Sequence, residues 1–564
     1  MYILGLGGSD HDVSATLIKD GQIVCAIEEE RVTRKKYGFN ANLIYGSSRK
    51  YCLQSQGLKL SDVDLIVADE ILPQTVLFSV KNCHKVNHHL LHAASTFYPS
   101  GFEEAAILVV DNAGSLVEWN GKQGLETLTY AYGKGKEINI LKKIIGEKYK
   151  SAMTINKQVY QTGDPNNSLG YFYKLISHYC RFDFIVNQDY YFTEDGKTMG
   201  LAPYGTDKYY SQIRSFVKLM DNGEFEIDLH SGGFESFLKE ITEKPLEDKE
   251  KDLKRRADIA YAGQKILEEA LLHAANHLYD ITKCPNLCIA GGVGLNSVAN
   301  GKILKETPFK RLFVQPASGD SGTSIGAAMW GYYKIADHPR ETNNKLTMKN
   351  AYLGRSYMEK QIEESLKKFS DCDIEWDKPE DLLHQTAKLI SEDMIVGWFQ
   401  GGSEFGPRAL GNRSILANPT KDYMKDHVNA QVKFREGFRP FAPSVIYEYQ
   451  SEYFELEQES PFMLIVAKVH PDKRSVIPAI THVDGSARLQ SVTKENGAYY
   501  ELINEFRKIT GVPVVLNTSF NIKGEPIVES PEDAIKCFIG TKIDYLAIGP
   551  YLVKKKQGLQ RQSE

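Results

Sequence analysis

The sequence predicts an α/β protein, and two observations carry that prediction. Short apolar strands run into glycine-rich turns that open helices. Residues 287–290 enter Gly291-Gly-Val-Gly-Leu-Asn296, and residues 311–314 enter Pro316-Ala-Ser-Gly-Asp320-Ser-Gly322 before a helix from about Thr323. Twice, too, a strand delivers an aspartate into a turn of small residues. Residues 2–6 lead to Gly7, Gly8, Ser9 and Asp10, and residues 105–110 lead to Asp111-Asn-Ala-Gly-Ser115. This echo suggests a duplicated domain with a phosphate loop at the start of each half.

In chain order, the strand at 2–6 is followed by a polar turn through His11 and Asp12. A strand at 14–18, the turn Lys19-Asp20-Gly21 and a strand at 23–27 then read as a hairpin. Residues 88–92, His-His-Leu-Leu-His, put His88 and His92 on one face if helical. Residues 105–110 read as a buried strand, and residues 258–279 repeat apolar positions at helical spacing. Residues 335–349 turn polar and mark a linker. An amphipathic helix near 358–369 opens a second α/β set with strands at 395–399, 513–516 and 545–548, and the polar end, 554–564, reads as frayed. Domains are expected at 1–345 and 350–555, since 564 residues exceed what one core serves.

A chain 42% hydrophobic and 25% charged is an ordinary globular composition. Its net charge of −5 gives no global basic field, so neither nucleic acid nor membrane is an expected partner. A polyanion site has to be a local cluster of Lys and Arg. No apolar run approaches the ~18 residues of a spanning helix, and the first residues lack the basic region of a signal peptide. Eight scattered cysteines without a CxxC pair fit free thiols in a reducing cytoplasm.

Three constellations carry chemistry. His88 and His92, one helical turn apart, can share a cation and leave positions open for substrate. Asp111 and Asp320 each follow a strand, where loop-borne ligands converge in α/β folds. Nitrogen and oxygen donors of this kind suit iron, zinc or manganese and disfavour calcium; the residues alone leave that choice open. Next, Gly292 and Gly294 with Asn296, and Gly319 and Gly322 beside Asp320, let backbone N–H groups approach a phosphate at a helix N-terminus. Neither loop has the Walker or Rossmann pattern. Last, Arg408, Arg413, Lys433, Arg435, Arg439 and Arg488 lie among Gly, Pro and aromatic residues, a setting that aims cations into a pocket. Arginine forks there bind phosphate or carboxylate, and the competing reading is a structural salt-bridge network. Asn517, Thr518, Ser519 and Asn521 add neutral partners after a buried strand. The run from Glu28 to Lys36 reads on its own as a solvated charged face.

Taken in order, these motifs resemble the NodU/CmcH/TobZ family of O-carbamoyltransferases over nearly the whole chain. The match runs through His11-Asp12-x-Ser-Ala, Glu28-Glu-Glu-Arg-x-Thr-Arg-Lys-Lys36, His88-His-x-x-His92-Ala, Glu194-Asp-Gly-Lys197, Gly291-Gly-Val-x-Leu-Asn296 and Gly319-Asp320-x-Gly. It continues with Gly406-Pro-Arg408-Ala-Leu-Gly-Asn-Arg-Ser, Lys433-x-Arg-Glu-x-Phe-Arg439-Pro-Phe-Ala-Pro and Leu516-Asn-Thr-Ser-Phe-Asn521. The resemblance implies an N-terminal actin/hexokinase-like (ASKHA) domain, built of duplicated RNase H-like halves, and a C-terminal YrdC-like domain. The second domain would form carbamoyl-adenylate from ATP and carbamoyl phosphate. The first would move the carbamoyl group to a hydroxyl of a small molecule, such as a sugar or an antibiotic-type secondary metabolite, with a divalent metal bound.

The resemblance further implies the residues. His88, His92, Asp111 and Asp320 map onto the metal, which is iron in the family, with Mg2+ a further candidate beside ATP. Asp111, Gly292, Gly294, Asn296, Gly319, Asp320 and Gly322 map onto nucleotide or phosphate. Arg408, Lys433, Arg439, Arg488, Asn517 and Ser519 map onto carbamoyl phosphate and the adenylate. Asp10, His11 and Lys36 map near the acceptor as catalytic candidates. The Asp10–His11 loop is shorter than in the antibiotic-tailoring relatives, and Asp111-Asn-Ala-Gly stands where Asp-Gly-x-Gly is commoner. The alternatives are an ASKHA-fold small-molecule kinase, to which the Arg408–Arg439 cluster is superfluous, and a threonylcarbamoyl-type tRNA-modifying fusion, which the acidic balance opposes. A homo-oligomer is compatible with the sequence.

Overall fold

The computed structural model describes residues 1–38, 46–78, 80–147, 151–155, 158–162, 164–187, 190–229, 233–242, 247–342 and 347–556. Residues 343–346 of the expected linker and 557–564 of the polar end lie outside these. The chain divides into two compact units. One is Met1–Val24 with Asn42–Met348, and the other is Cys25–Ala41 with Lys349–Glu564. Among the described residues no helix is long and apolar enough to cross a membrane. None of the eight cysteines forms a disulfide.

The first unit holds two sheets of one design. In the first, β1 (Tyr2–Gly7), β2 (Ser14–Lys19) and β3 (Gln22–Glu28) form a meander, and β4 (Leu65–Asp69) and β5 (Cys83–Val86) add in parallel on the far side of β1. The order is β3-β2-β1-β4-β5. The turn from β2 to β3 needs positive φ at Asp20 (49°) and Gly21 (82°), which Asp-Gly supplies with little strain. Helix α1 (His88–Ser100) then leads to the second sheet. There β6 (Glu104–Val110) is the first strand, β7 (Leu116–Trp119) and β9 (Glu137–Gly146) flank β8 (Lys122–Lys134), and β8 lies antiparallel to β6. After helix α2 (Lys249–Thr282), β10 (Asn286–Ala290) and β11 (Arg311–Val314) add in parallel on the other side of β6. Each half thus has an antiparallel partner on one side of its first strand and parallel crossovers on the other. That is the duplicated arrangement expected from the two Asp-ended strands.

Helix α2 starts nine residues before the expected 258 because its first turns are polar; the Asp248 carboxylate caps them by accepting from the N–H groups of Glu250 and Lys251. Helix α3 (Thr323–Trp330) packs on α1 and β1 at close range. A Cβ on Gly326 would lie 2.0 Å from the Leu91 carbonyl oxygen, and one on Gly5 would lie 2.1 Å from the Ser324 carbonyl oxygen. Ile3, Ile18, Val67, Leu91, Ala327 and Ala328 form a buried cluster around this crossing. It fixes the start of α1 against the start of α3.

The second unit is built on an eight-stranded mixed sheet. Its strands are β12 (Ile374–Asp377), β13 (Val396–Phe399), β14 (Arg413–Ala417), β15 (Ala442–Ile446), β16 (Gln490–Val492), β17 (Val514–Ser519), β18 (Tyr545–Ile548) and β19 (Tyr551–Lys555). The order is β12-β19-β18-β13-β14-β17-β15-β16. Helices α4 (Leu382–Ser391) and α5 (Ala498–Thr510) pack on each other, and α6 (Pro531–Ile539) opens with a Ser530/Asp533 capping box. The charged run from Glu28 corrects an expectation. It is not a solvated face: Glu28, Glu29 and Arg31 are buried within this unit. A charge count alone cannot see the buried partners that let such a run leave water.

Candidate functional site

In the first unit the start of α1 brings His88 and His92 together. Asn87 caps the helix by accepting from the Leu90 N–H, and the buried Glu126 carboxylate accepts from the N–H groups of His89 and Ser115 and from the Asn87 amide. Lys143 donates to the same carboxylate. On this frame the two imidazoles turn their Nε2 atoms toward one point, 3.1 Å apart. Asp111, at the end of β6, brings Oδ2 to 3.2 Å from His88 Nε2 and 3.8 Å from His92 Nε2. Asp320, from the turn before α3, brings Oδ1 to 3.8 and 3.9 Å from the same two atoms. One donor atom from each residue lies within 4.8 Å of every other.

These residues fit a divalent ion. Nitrogen and oxygen donors at ~2.0–2.2 Å from a tetrahedral centre stand a little over 3 Å apart, close to the spacing seen here. The remaining nitrogen of His88, Nδ1, is 2.7 Å from Oδ2 of Asp69, at the end of β4, and both side chains are fully buried. This is how a metal-binding imidazole is oriented.

The same charges set the titration. Burial alone would push His88 down, but Asp69, Asp111 and Asp320 together hold it well above the ordinary histidine value. Burial and the neighbouring His88 press His92 well below it. Burial and the Asp111 charge lift Asp320 to about 6. His89 points away, bonds Thr129 through Nδ1, and is pushed down to about 4 by burial.

The glycine loops stand beside these donors. The Gly292 N–H donates to Oδ1 of Asp111 at 3.1 Å, and Gly291 has φ of 91°, since a Cβ there would meet the Val110 carbonyl oxygen at 2.2 Å. A Cβ on Gly294 would meet Ser318 Oγ at 2.3 Å, whereas one on Gly319 would meet nothing within 4 Å. Gly322 closes the short turn that starts at Asp320. Asn296 is engaged structurally: it caps the next helix through the Ala299 N–H and pairs with Gln264. The first-strand turn joins the same place, with the Gly8 N–H donating to Thr323 Oγ1 and Ser14 Oγ donating to the Ser321 carbonyl. His11 Nδ1 lies 3.2 Å from Asp12, its Nε2 lies 3.9 Å from Asp10, and its ring meets Phe192 edge-on at 4.9 Å. Burial opposes its charge, yet Asp12, Asp320 and Asp10 raise it to about 9. Lys36 belongs to the second unit, with its Nζ 5.1 Å from the centre of the Tyr37 ring.

The second unit gathers the basic cluster. Lys433 Nζ donates to the Ser519 carbonyl and hydroxyl and to the Asn521 carbonyl and side-chain oxygen. Arg435 stacks on Phe441 at 4.3 Å and donates to Asn429. Arg439 has Glu436 at 3.8 Å. Among the described residues, Arg408 and Arg488 have no ion-pair partner, and Arg408 Nε makes no hydrogen bond. Burial and mutual repulsion lower four of these cations: Arg408 to about 10, Arg435 to about 9, and Lys433 and Arg488 well below their ordinary values. A cluster that repels itself in a dry setting is one that an anion stabilises. Asn517 instead ties the strands, donating toward Ala409, Ser444 and Gln490.

Asp69, Glu126 and Glu404 escaped the sequence reading, and Glu28 and Arg31 entered it only as part of a charged run and of a motif. Of the first three only Asp69 left a signal, as one more aspartate at the end of an apolar strand.

The carbamoyltransferase N-terminus family model matches residues 2–78 and 74–329, and the carbamoyltransferase C-terminus model matches 387–555. The chain is 37% identical over 590 residues to nodulation protein NolNO of Sinorhizobium fredii, covering 97% of this chain and 79% of that protein. It is 35% identical to the uncharacterized protein sll1178 of Synechocystis, covering 100% of this chain and 98% of the relative. Among solved structures, HypF of T. kodakarensis aligns at 16% identity and a TM-score of 0.36, covering 61% of this chain and 49% of that one.

Proposed function

This chain belongs to the carbamoyltransferase family, and from that premise we propose that it is an ATP-dependent O-carbamoyltransferase with its two half-reactions divided between its two units. The second unit forms carbamoyl-adenylate from ATP and carbamoyl phosphate: water cleaves carbamoyl phosphate to carbamate and inorganic phosphate, and a carbamate oxygen then attacks the α-phosphorus of ATP and expels pyrophosphate. The first transfers the carbamoyl group to a hydroxyl of a small molecule, a sugar or secondary metabolite. The observation that carries the division is that each unit has a distinct constellation: four converging metal donors in one, and a self-repelling, half-buried group of cations in the other.

In the second unit, Arg408, Arg439 and Arg488 neutralise the phosphates so that the attacking and leaving oxygens can approach. Lys433, Ser519 and Asn521 form one bonded group that offers a cation and neutral dipoles beside them. In the first unit, His88, His92, Asp111 and Asp320 would hold the divalent ion, which supplies Lewis acidity and a template when bound. In this reading the glycine turns at 292–294 and 319–322 border the phosphate oxygens beside the metal donors, with the Gly292 N–H holding Asp111 in place. His11, held charged by Asp12, orients the acceptor hydroxyl, and the Asp10 carboxylate receives its proton.

His88→Ala tests the division. It should abolish metal binding and carbamoyl transfer while leaving carbamoyl-phosphate-dependent ATP–pyrophosphate exchange at the wild-type rate. Equal loss of both would overturn it.

A further inference from the structure

The loop bearing Arg408 is gripped by a segment from near the start of the chain. Cys25–Ala41 is part of the second unit, although more than three hundred residues separate it from Lys349. Within it, the Gly406 N–H donates to Glu28 Oε1 at 2.5 Å, and Arg31 Nη2 donates to the Gly406 carbonyl at 2.5 Å. Both polar groups of one residue are therefore held by charged side chains, Glu28 5% and Arg31 1% exposed. Gly406 has φ of 114°, a conformation that a side chain resists. On the far side of Arg408, Glu404 Oε1 accepts from the N–H groups of Leu410, Asn412 and Arg413. Farther along the segment, Arg34 donates to the carbonyls of Pro526 and Ile527, just beyond the Asn521 that binds Lys433.

We propose that Glu28 and Arg31 are positioning residues for the anion site, clamping Gly406 so that the Arg408 guanidinium is presented to the phosphate. The proposal rests on the reading of Arg408, Lys433, Arg439 and Arg488 as that site. Burying Glu28 and Arg31 for cohesion alone would gain little, because apolar side chains of similar volume stabilise as well. What polar groups add is direction: two hydrogen bonds, one of them from a guanidinium, fix a peptide unit that glycine leaves free to turn. Arg408 gets no such fixing from its own Nε. The activation unit is then discontinuous in sequence, completed by a segment that begins within β3.

The test uses the full chain with Glu28→Gln, Arg31→Lys, Arg31→Met and Arg408→Ala, read by carbamoyl-phosphate-dependent ATP–pyrophosphate exchange. Misplacing a binding group by about 1 Å can cost up to ~100-fold. Arg31→Met should raise the KM for carbamoyl phosphate ~10- to 100-fold with a smaller change in kcat, and Arg31→Lys should restore part of it. Glu28→Gln, nearly isosteric, gives the same direction and decides the matter should Arg31→Met not fold. Wild-type KM in every folded clamp variant, beside a large loss in Arg408→Ala, overturns the clamp alone. Wild-type KM in Arg408→Ala overturns the anion-site reading, and the clamp with it.

Discussion

His88 Nδ1 and Asp69 Oδ2 lie 2.7 Å apart, with both side chains fully buried. The bond holds the ring so that Nε2 faces Asp111 and His92. Asp69 itself is not among the four converging donors. Removing its charge while keeping its shape should loosen the ring and lower the basicity of Nε2. Asp69→Asn is expected to weaken divalent-metal affinity ~10- to 100-fold, measured by chelator competition on the full chain. Affinity equal to wild type would reduce Asp69 to packing.

The contact between α1 and α3 makes a second prediction. A Cβ on Gly326 would lie 2.0 Å from the Leu91 carbonyl oxygen, on the helix that carries His88 and His92. One added methyl forces backbone apart, which costs about 1–3 kcal/mol or more. Gly326→Ala should therefore lower the melting temperature and also reduce metal affinity, because Asp320 and the histidines move apart. A stability loss with unchanged affinity would mean that the metal donors do not depend on this crossing.

How far the sequence reached can be argued from these same residues. Strands ending in Asp111, the hairpin at Asp20-Gly21 and the i, i+4 pair His88–His92 follow from local pattern, and local pattern is what spacing records. The duplicated sheet was visible because both halves end their first strand on a small-residue turn. Asp69 and Glu404 were not visible, since a carboxylate that serves buried N–H groups looks no different from one in water. The run from Glu28 to Lys36 was misread for that reason: its partners, Gly406 and the 526–527 carbonyls, lie hundreds of residues away. Assignment of roles came from the ordered motifs; charge spacing alone gave only a basic cluster.

Glu404 offers a sharper test of such hidden carboxylates. One oxygen accepts three backbone N–H groups, from Leu410, Asn412 and Arg413, and the residue is fully buried. Glu404→Gln keeps the volume but brings a neutral acceptor and two extra donors into a dry site. A buried charge-assisted bond is worth ~1.5–3 kcal/mol, so a loss of about that size is expected in thermal or urea unfolding. Wild-type stability would show that the loop holds its shape without the carboxylate.

The last prediction concerns pH. Burial is the largest influence on Glu28 and lifts it to about 7, with Glu30 adding to the rise and Arg31 and the Gly406 N–H opposing it. In the unfolded chain a glutamate titrates near ~4.3. Between those values the folded state retains a proton that the unfolded state has lost. Folding stability must therefore fall as pH rises through that window. Below it, Glu28 is neutral in both states and carries no such penalty; above about 7, the penalty is fully developed. Glu28→Gln removes the titration, so its melting temperature should gain on that of the wild type between pH 5 and pH 8. A constant difference across that range would mean that Arg31 keeps Glu28 ionised throughout, and the clamp on Gly406 would then act as a permanent ion pair.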